Sequence, residues 1–456
     1  MDINIQTLSK YSRPGPRYTS YPTAPVFSDS FRSEEYKNLL SRRDRKDIPI
    51  SLYFHIPFCD SVCFFCACNV IYTRNRNRAE PYIDLLNKEM KMISNALDPD
   101  RKIYQLHWGG GTPTWLSLDQ IRKFWGDIKS HFHFSDDAEI SIELDPRTTT
   151  MDHLDVLAEC GFNRASLGVQ DLDPTVQKAV NRVQPLELSE NLVNGLRERN
   201  FVGVNIDLIY GLPHQTVEAF KKTLAEVVRL SPNRIALFNF AYLPNLKVHQ
   251  NRIQKNDLPD SATRLEIFQA ATDIFTRAGY VYIGMDHFAK PDDELAVVQK
   301  KKILHRNFQG YTTRGECDLI GIGVTSISDA AGAYAQNTKT MNQYQESINS
   351  GKFATERGLI LSKEDLLRRH VIMQLICNFE LQKESVEKQF NIKFDQYFSK
   401  ELVELRDFEK DGLLELKDKS IEILPAGKFV IRNICMPFDA YLEALTAKKH
   451  TFSKTV

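Results

Sequence analysis

Four cysteines crowd into the ten residues CDSVCFFCAC, at positions 59, 63, 66 and 68. Thiolates separated by three and then two residues can grip one side of a compact soft-metal centre, and both iron-sulfur clusters and zinc accept such ligands. A structural zinc ion ordinarily takes a fourth donor, often from a second CxxC pair, and none follows. Zinc stays as the alternative to a cluster. Eight cysteines in 456 residues are too sparse for a disulfide scaffold, so the cluster of four points to metal ligation in a reducing compartment. Cys160, Cys317, Cys377 and Cys435 stand in mostly apolar surroundings and read as small buried hydrophobes.

Other residues could join such a centre. GGGTP at 109–113 would let backbone amides and carbonyls come close to a ligand, although a glycine run is also simply a flexible turn. Glu143 in SIELDPR, Gln170 in SLGVQD and Asp207 in NIDLIYGLP each end or follow an apolar run. Any one of them could be a hydrogen-bonded core residue; three at successive strand ends favour a site. Phe64 and Phe65 would shield a metal centre from water or serve as ordinary loop packing.

The elements that must position these residues are legible as apolar, β-branched runs: ISLYFHI from Ile50, IYQLHWG from Ile103, EISIEL from Glu139, RASLGVQ from Arg164, VGVNIDLIYG at 202–211 and RIALFNF from Arg234. Between them lie stretches with apolar residues at three and four spacing, starting at Ala79, Leu116, Met151 and Thr216. Repeated strand-helix alternation predicts an α/β fold with a parallel sheet, and six units predict a full or partial (β/α)6 TIM-like barrel with its chemistry at the carboxyl ends of the strands. Three regions follow: an N-terminal extension at 1–49, a catalytic barrel with its own extension at 50–360, and a C-terminal domain at 361–456. The first contains SRPGPRYTSYPTAP, whose prolines favour an extended path. The last reads as three short helices, a hairpin at LLELKDKSIEIL and a final helix near AGKFVIRNIC, a small winged-helix-like unit.

Lys plus Arg equals Asp plus Glu at 59 each, and hydrophobic residues make up 42%. No field toward nucleic acid follows from that balance. No apolar run approaches the ~18 residues of a membrane span, and MDINIQTLSKYSRPGP has no apolar signal core, so the expected address is cytoplasmic, without membrane contact.

CxxxCxxC after the first strand of a β/α barrel resembles the signature of the radical S-adenosylmethionine superfamily. The resemblance narrows with PGPRYTSYPTA, HIPFCDSVCFFCACN, HWGGGTPT, SLGVQDLDPTVQKAVNR, DLIYGLPHQT, DHFAKPDDELA and LHRNFQGYTT, which together look like the oxygen-independent coproporphyrinogen III oxidases, from about residue 11 to about residue 435. That family implies a partial barrel of the radical S-adenosylmethionine type and a [4Fe-4S] cluster on Cys59, Cys63 and Cys66, with Cys68 not a ligand. It also implies two S-adenosylmethionine molecules. By motif, Tyr53, Gly110, Glu143, Gln170, Arg182 and Asp207 match the surroundings of the cluster-bound molecule; Phe65, Gly111, Thr112, Ala241 and Ile327 match those of the second.

The implied substrate is coproporphyrinogen III. A 5'-deoxyadenosyl radical would take hydrogen from the β-carbon of a propionate, and loss of carbon dioxide and one electron would leave a vinyl group. An unidentified low-potential electron donor and a monomeric state are implied as well. Carboxylate recognition calls for guanidinium groups, which makes Arg13, Arg17 and Arg182 candidates. Tyr18 and Tyr21 could close over a flat tetrapyrrole if the N-terminal stretch acts as a lid. His55 lies near the cluster loop or is simply packed there. Two further classes remain: a heme chaperone of the same superfamily, whose members generally lack the PGPRYTSYPTA segment and a cysteine at position 68, and a DNA-binding regulator, which the mixed charge of KESVEKQFNIKFDQYF does not suit.

Overall fold

The structure, a computed structural model, describes residues 5–447 and 452–455. Six parallel strands stand where the apolar runs predict them: β1 (Ile50–Ile56), β2 (Ile103–Gly110), β3 (Phe134–Leu144), β4 (Arg164–Gln170), β5 (Gly203–Tyr210) and β6 (Arg234–Asn239). They lie side by side in chain order. The crossover helices cover the outer face with their apolar stripes. Helix Ala79–Ala96 buries Tyr82, Ile83, Leu86, Met90 and Ile93, and helix Leu118–His131 starts at a capping box in which Ser117 and Gln120 satisfy each other's backbone amides.

The sheet is larger than the sequence suggests. It has twelve strands, adding β7 (Val281–Gly284), β8 (His287–Ala289), β9 (Asp318–Ile322), β10 (Ile327–Ala330), β11 (Ala333–Asn337) and β12 (Thr355–Ile360). β9 pairs parallel with β1 on the side away from β2, and β10, β11 and β12 follow as an antiparallel meander. At the other margin β8 and then β7 add antiparallel to β6. The order therefore runs openly from β12 to β7, as in a partial barrel. Two buried acids fasten the added strands. Asp318 accepts from Arg45 at 2.6 and 3.1 Å and from Arg101 at 2.7 Å, locking the start of β9 beside β1. Glu89, on helix Ala79–Ala96, accepts from the Gly323 amide at 2.8 Å, the Asn337 side chain at 2.7 Å and the Tyr344 hydroxyl. Burial raises its carboxyl, and the three donors offset only part of that cost.

The C-terminal region contains the expected helices Lys363–Asn378, Lys383–Phe390 and Ser399–Lys410 and the hairpin of Leu414–Leu416 with Ser420–Ile423. A strand not predicted, Glu380–Gln382, extends the hairpin to three strands. The helix expected near AGKFVIRNIC is only Ile431–Cys435, entered through a 3-10 turn at Gly427–Val430, and a further helix, Leu442–Ala447, follows it. Among the described residues no helix is long and apolar enough to cross a membrane.

The N-terminal extension departs from the lid expectation. It carries helices at Ile5–Tyr11 and Ser33–Leu40, and its proline-rich stretch is bound into the body of the protein. Tyr18 and Tyr21 are fully buried: the Tyr18 hydroxyl donates to Asp439 at 3.1 Å and the Tyr21 hydroxyl accepts from the Ala440 amide at 3.1 Å. The buried guanidinium of Arg432 donates to the carbonyls of Gly15, Pro16 and Lys454, and Pro14 forms a β-bridge with Lys454. Arg432→Gln strands those carbonyls, so it should make opening of this segment easier by about 2 to 3 kcal/mol. Limited trypsin digestion should then cut after Arg17 at least about 10-fold faster than in the parent. An unchanged cutting rate would show that Arg432 is not what holds the segment.

Candidate functional site

The cysteine loop leaves β1 and is closed at its base by the pair of two-residue strands Phe58–Cys59 and Ile71–Tyr72. Two other segments hold it from outside. From one side Asn181 donates to the Val62 carbonyl at 2.7 Å, and the Phe64 amide donates to Val180 at 2.9 Å. From the other, Lys247 donates to Cys68 at 3.1 Å, His249 to Cys66 at 2.7 Å, and Gln250 to Phe65 at 3.1 Å, all at backbone carbonyls. Phe64 and Phe65 pack against Val176, Val180, Leu212, Phe240 and Ile253. The loop is thus fixed through its backbone, which leaves the thiols free to face inward.

Cys59, Cys63, Cys66 and Cys68 open onto a cavity of about 440 Å³ that runs into the barrel. Burial pushes the Cys59 thiol up to about 12, partly offset by Thr112, whose hydroxyl lies 3.4 Å from the sulfur. A hydrogen bond between Cys66 and Cys68 shifts Cys66 down and Cys68 up. The Cys63 sulfur accepts from Arg147 at 3.3 Å and Arg182 at 3.4 Å.

The same cavity is lined by Phe65, Gly110, Gly111, Thr112, Glu143, Gln170, Arg182 and Asp207, so the structure brings together most of the residues singled out in the sequence. The glycines are required by close approach. A Cβ on Gly110, at φ +112°, would sit 2.5 Å from the His55 ring, and one on Gly111 would meet the Phe58 carbonyl at 2.7 Å. Gln170 adopts φ +68° at the end of β4, a costly conformation for a side chain of its size and one that concentrates at functional sites.

Electrostatics divides the carboxylates. Burial works to raise Asp145, but Arg182 at 3.0 Å and Arg147 at 2.7 Å overcome it and hold the carboxyl at about 2. Burial likewise opposes Glu143, yet His107 at 3.5 Å and the Gly110 amide at 3.0 Å leave it lowered; its side chain is 44% exposed, to the cavity. Asp207 goes the other way, to about 6, because burial and the Glu143 charge outweigh the hydrogen bonds from Ser166 and Asn205.

The remaining candidates lie outside the cavity wall. Tyr53 sits behind it, bonded to His55 at 3.0 Å and stacked on His107. Ala241 is tied to the cysteine loop through Gln250, which donates to both the Ala241 and the Phe65 carbonyls. Ile327 starts β10 and packs beside Phe27, Tyr334 and Leu361. Arg13 is exposed, Tyr18 is buried away from the cavity, and Arg17 donates to the Asn239 carbonyl at 3.4 Å, at the end of β6.

Sequence reasoning missed the polar interior. Besides Glu143 and Asp207, Gln105 and His107 on β2, Glu139 and Ser141 on β3, Arg164 and Ser166 on β4, and Asn205 on β5 all line the cavity. They sit at every second position of their strands, so the alternation within the apolar runs carried the signal. Asp145 and Arg147 lay inside SIELDPR without being singled out.

The depressed Asp145 carboxyl gives a direct test. Its folded value lies below the unfolded one, so its contribution of about 2 kcal/mol is present above about pH 4 and is lost as the pH falls toward 2. Asp145→Asn leaves two guanidinium groups without their carboxylate and should cost about 3 kcal/mol at neutral pH. Denaturant unfolding should show this loss together with a flatter acid limb between pH 4 and 2. Parent-like stability would mean the two arginines find other partners.

Comparison with known proteins agrees with this geometry. Residues 53–227 match the model of the Radical SAM superfamily, and residues 361–430 match the HemN C-terminal domain. The chain is 46% identical over 456 residues to the oxygen-independent coproporphyrinogen III oxidase of Salmonella typhimurium, covering 100% of this chain and 99% of that one. It is 45% identical over 451 residues to that of Pseudomonas aeruginosa, with 98% of each covered. It superposes with a TM-score of 0.93 on the solved coproporphyrinogen III oxidase of Escherichia coli, described as a radical SAM enzyme, at 46% identity over 97% of this chain and 100% of that one. The superfamily implies a 4Fe-4S cluster and S-adenosylmethionine. With this identity spread along its whole length, the chain belongs to the oxygen-independent coproporphyrinogen III oxidase family of radical S-adenosylmethionine enzymes.

Proposed function

We propose that this chain carries out the oxidative decarboxylation of coproporphyrinogen III to protoporphyrinogen IX without oxygen, converting two propionates to vinyl groups. The observation that carries the reading is the convergence of the Cys59, Cys63 and Cys66 thiols on one cavity whose wall holds Glu143, Gln170 and Asp207 on three successive strands. Three thiols with inward sulfurs form a donor set suited to iron-sulfur ligation, and bound metal would deprotonate them despite their burial. A reduced cluster with S-adenosylmethionine would supply the hydrogen-abstracting radical, the step no side chain here could perform on an unactivated carbon-hydrogen bond.

The residues around it bind, orient and exclude water. Arg147 and Arg182 both donate to the Cys63 sulfur and orient it toward the cavity. Glu143 and Asp207 offer acceptors on the cavity wall for the ammonium and hydroxyl groups of the cofactor. Phe65, Gly111, Thr112, Ala241 and Ile327 are assigned to a second S-adenosylmethionine. Phe64 and Phe65 join the apolar cluster that closes the loop side against water. Arg17, bonded at the end of β6, is assigned to a substrate carboxylate, whereas Tyr18, bonded to Asp439, is not. An external low-potential donor would reduce the cluster.

The test is anaerobic. Reconstituted protein is given iron, sulfide, a reductant, S-adenosylmethionine and coproporphyrinogen III, and protoporphyrin is measured after oxidation beside Cys63→Ala. Vinyl product from the parent, with at least about 1,000-fold less from the variant, is expected. Cofactor cleavage without vinyl product would refute the substrate assignment; tight, unconverted heme binding would replace the oxidase with a chaperone.

A further inference from the structure

The short strands His305–Asn307 and Gly310–Thr312 form a hairpin along the cavity margin, and Asn307, Tyr311 and Thr312 contribute to its wall. Arg306 pairs with Tyr311 across this hairpin, and its guanidinium lies over the tyrosine ring, 4.8 Å from the centroid. Tyr311 in turn meets the ring of His287, another cavity residue, edge to face at 5.3 Å. The guanidinium is therefore one ring away from the cavity.

Its hydrogen bonding is incomplete. Nε and Nη1 of Arg306, a half-buried residue, are shielded from solvent and have no acceptor among the described residues. The neighbouring arginines are differently placed: Arg164 pairs with Glu139 and Glu294, Arg234 with Asp293, and Arg314 with Asp137. The acid nearest in influence is Asp286, and its field is shared among Arg17, Arg432 and Arg306. It sits in the tight turn between β7 and β8, where Met285 and Asp286 both adopt positive φ, +42° and +77°. Such a pair ordinarily calls for Asn-Gly, so the backbone is held in a costly shape at this margin. The three arginines do not fully offset the burial of Asp286, and one carboxylate cannot neutralise three cations.

Two shielded guanidinium donors with no acceptor are expensive to keep unless a ligand completes them. The substrate carries four carboxylates, two of which survive the reaction. A guanidinium bonded to a carboxylate stabilises it as the anion, which opposes its departure as neutral carbon dioxide. We infer that Arg306 anchors a propionate that the enzyme keeps, positioning the tetrapyrrole so that a different propionate faces the cluster. This inference rests on the oxidase reading of the same cavity.

The test uses the reconstituted full-length protein with Arg306→Gln and Arg306→Lys. Two quantities are measured: KM for coproporphyrinogen III, and Kd for oxidised coproporphyrin III, which is not converted, with its tetramethyl ester as control. Loss of a charge-assisted hydrogen bond should raise both KM and Kd about 10- to 100-fold in Arg306→Gln, with partial recovery in Arg306→Lys and no difference toward the ester. Iron content and substrate-free cleavage of S-adenosylmethionine should match the parent, and the thermal midpoint should hold or rise, since two unpaired donors are being removed. Unchanged KM and Kd in an active background would overturn the assignment, as would failure of Arg306→Gln to fold, which would make the guanidinium a structural group. Absence of vinyl product from the parent itself would instead sink the oxidase reading.

Discussion

The site depends on a small cluster of opposite charges beside Cys63. Asp145 and Arg147 come from the turn after β3, Arg182 from the segment after β4, and the cysteine from the loop after β1. Arg147 and Arg182 share the Asp145 carboxylate and both donate to the sulfur. Buried ion pairs of this kind contribute little net stability, because desolvation consumes most of the Coulomb gain. What they fix is position: two guanidinium groups tethered to one acid can meet the sulfur from one direction only. Arg182 also donates to the Gly168 carbonyl at 2.6 Å, so the cluster extends to β4 and to Gln170 beyond it. Gly168 is what permits this, since a Cβ there would stand 2.7 Å from the Gln170 amide and 3.0 Å from Arg182.

Below that cluster the barrel interior is polar where closed barrels are normally filled by branched apolar side chains. The inward positions of β2 to β5 bond to one another: Gln105 donates to Glu139 at 2.9 Å, Ser166 to Asp207 at 2.9 Å, and Asn205 to both Ser166 and Asp207. Satisfied in this way, the walls stand apart without collapsing, and the open sheet order leaves room for ligands that a fully closed eight-stranded barrel would lack. The outward positions meanwhile supply the core against the helices, with Leu106, Trp108, Ile142, Leu167 and Ile206 fully buried. One strand thus serves two environments through the pleat alone.

That division explains what could be read from the sequence. β1 to β6 announced themselves because strands covered by helices are rich in Ile, Leu and Val, and residues at their carboxyl ends could be chosen for chemistry. β9 to β12 are four to six residues long, with little to separate them from turns, and their place is set by Asp318 and Glu89, whose partners lie far away in the chain. Glu143, Gln170 and Asp207 were legible as polar residues ending apolar runs. Ala241 and Ile327 carry no chemical signal of their own, so only resemblance could nominate them. The tyrosines of the N-terminal stretch look like ligand-binding aromatics until their partners are known, and Asp439 stands 421 positions from Tyr18.

Those distant partners change how access to the cavity must be understood. A lid has to open at low cost, which demands few buried contacts and solvent-facing hydrogen bonds. Residues 13–22 have the opposite character: two fully buried tyrosines, a guanidinium spanning both terminal segments, and a β-bridge between Pro14 and Lys454. Lifting them would uncover Asp439 and Arg432 in the C-terminal domain as well. The segment therefore acts as a strap that joins this domain to the β6 side of the barrel, with Arg17 carried on it toward Asn239. The C-terminal domain thereby fixes the course of the N-terminal segment, and with it the place of Arg17 beside the end of β6.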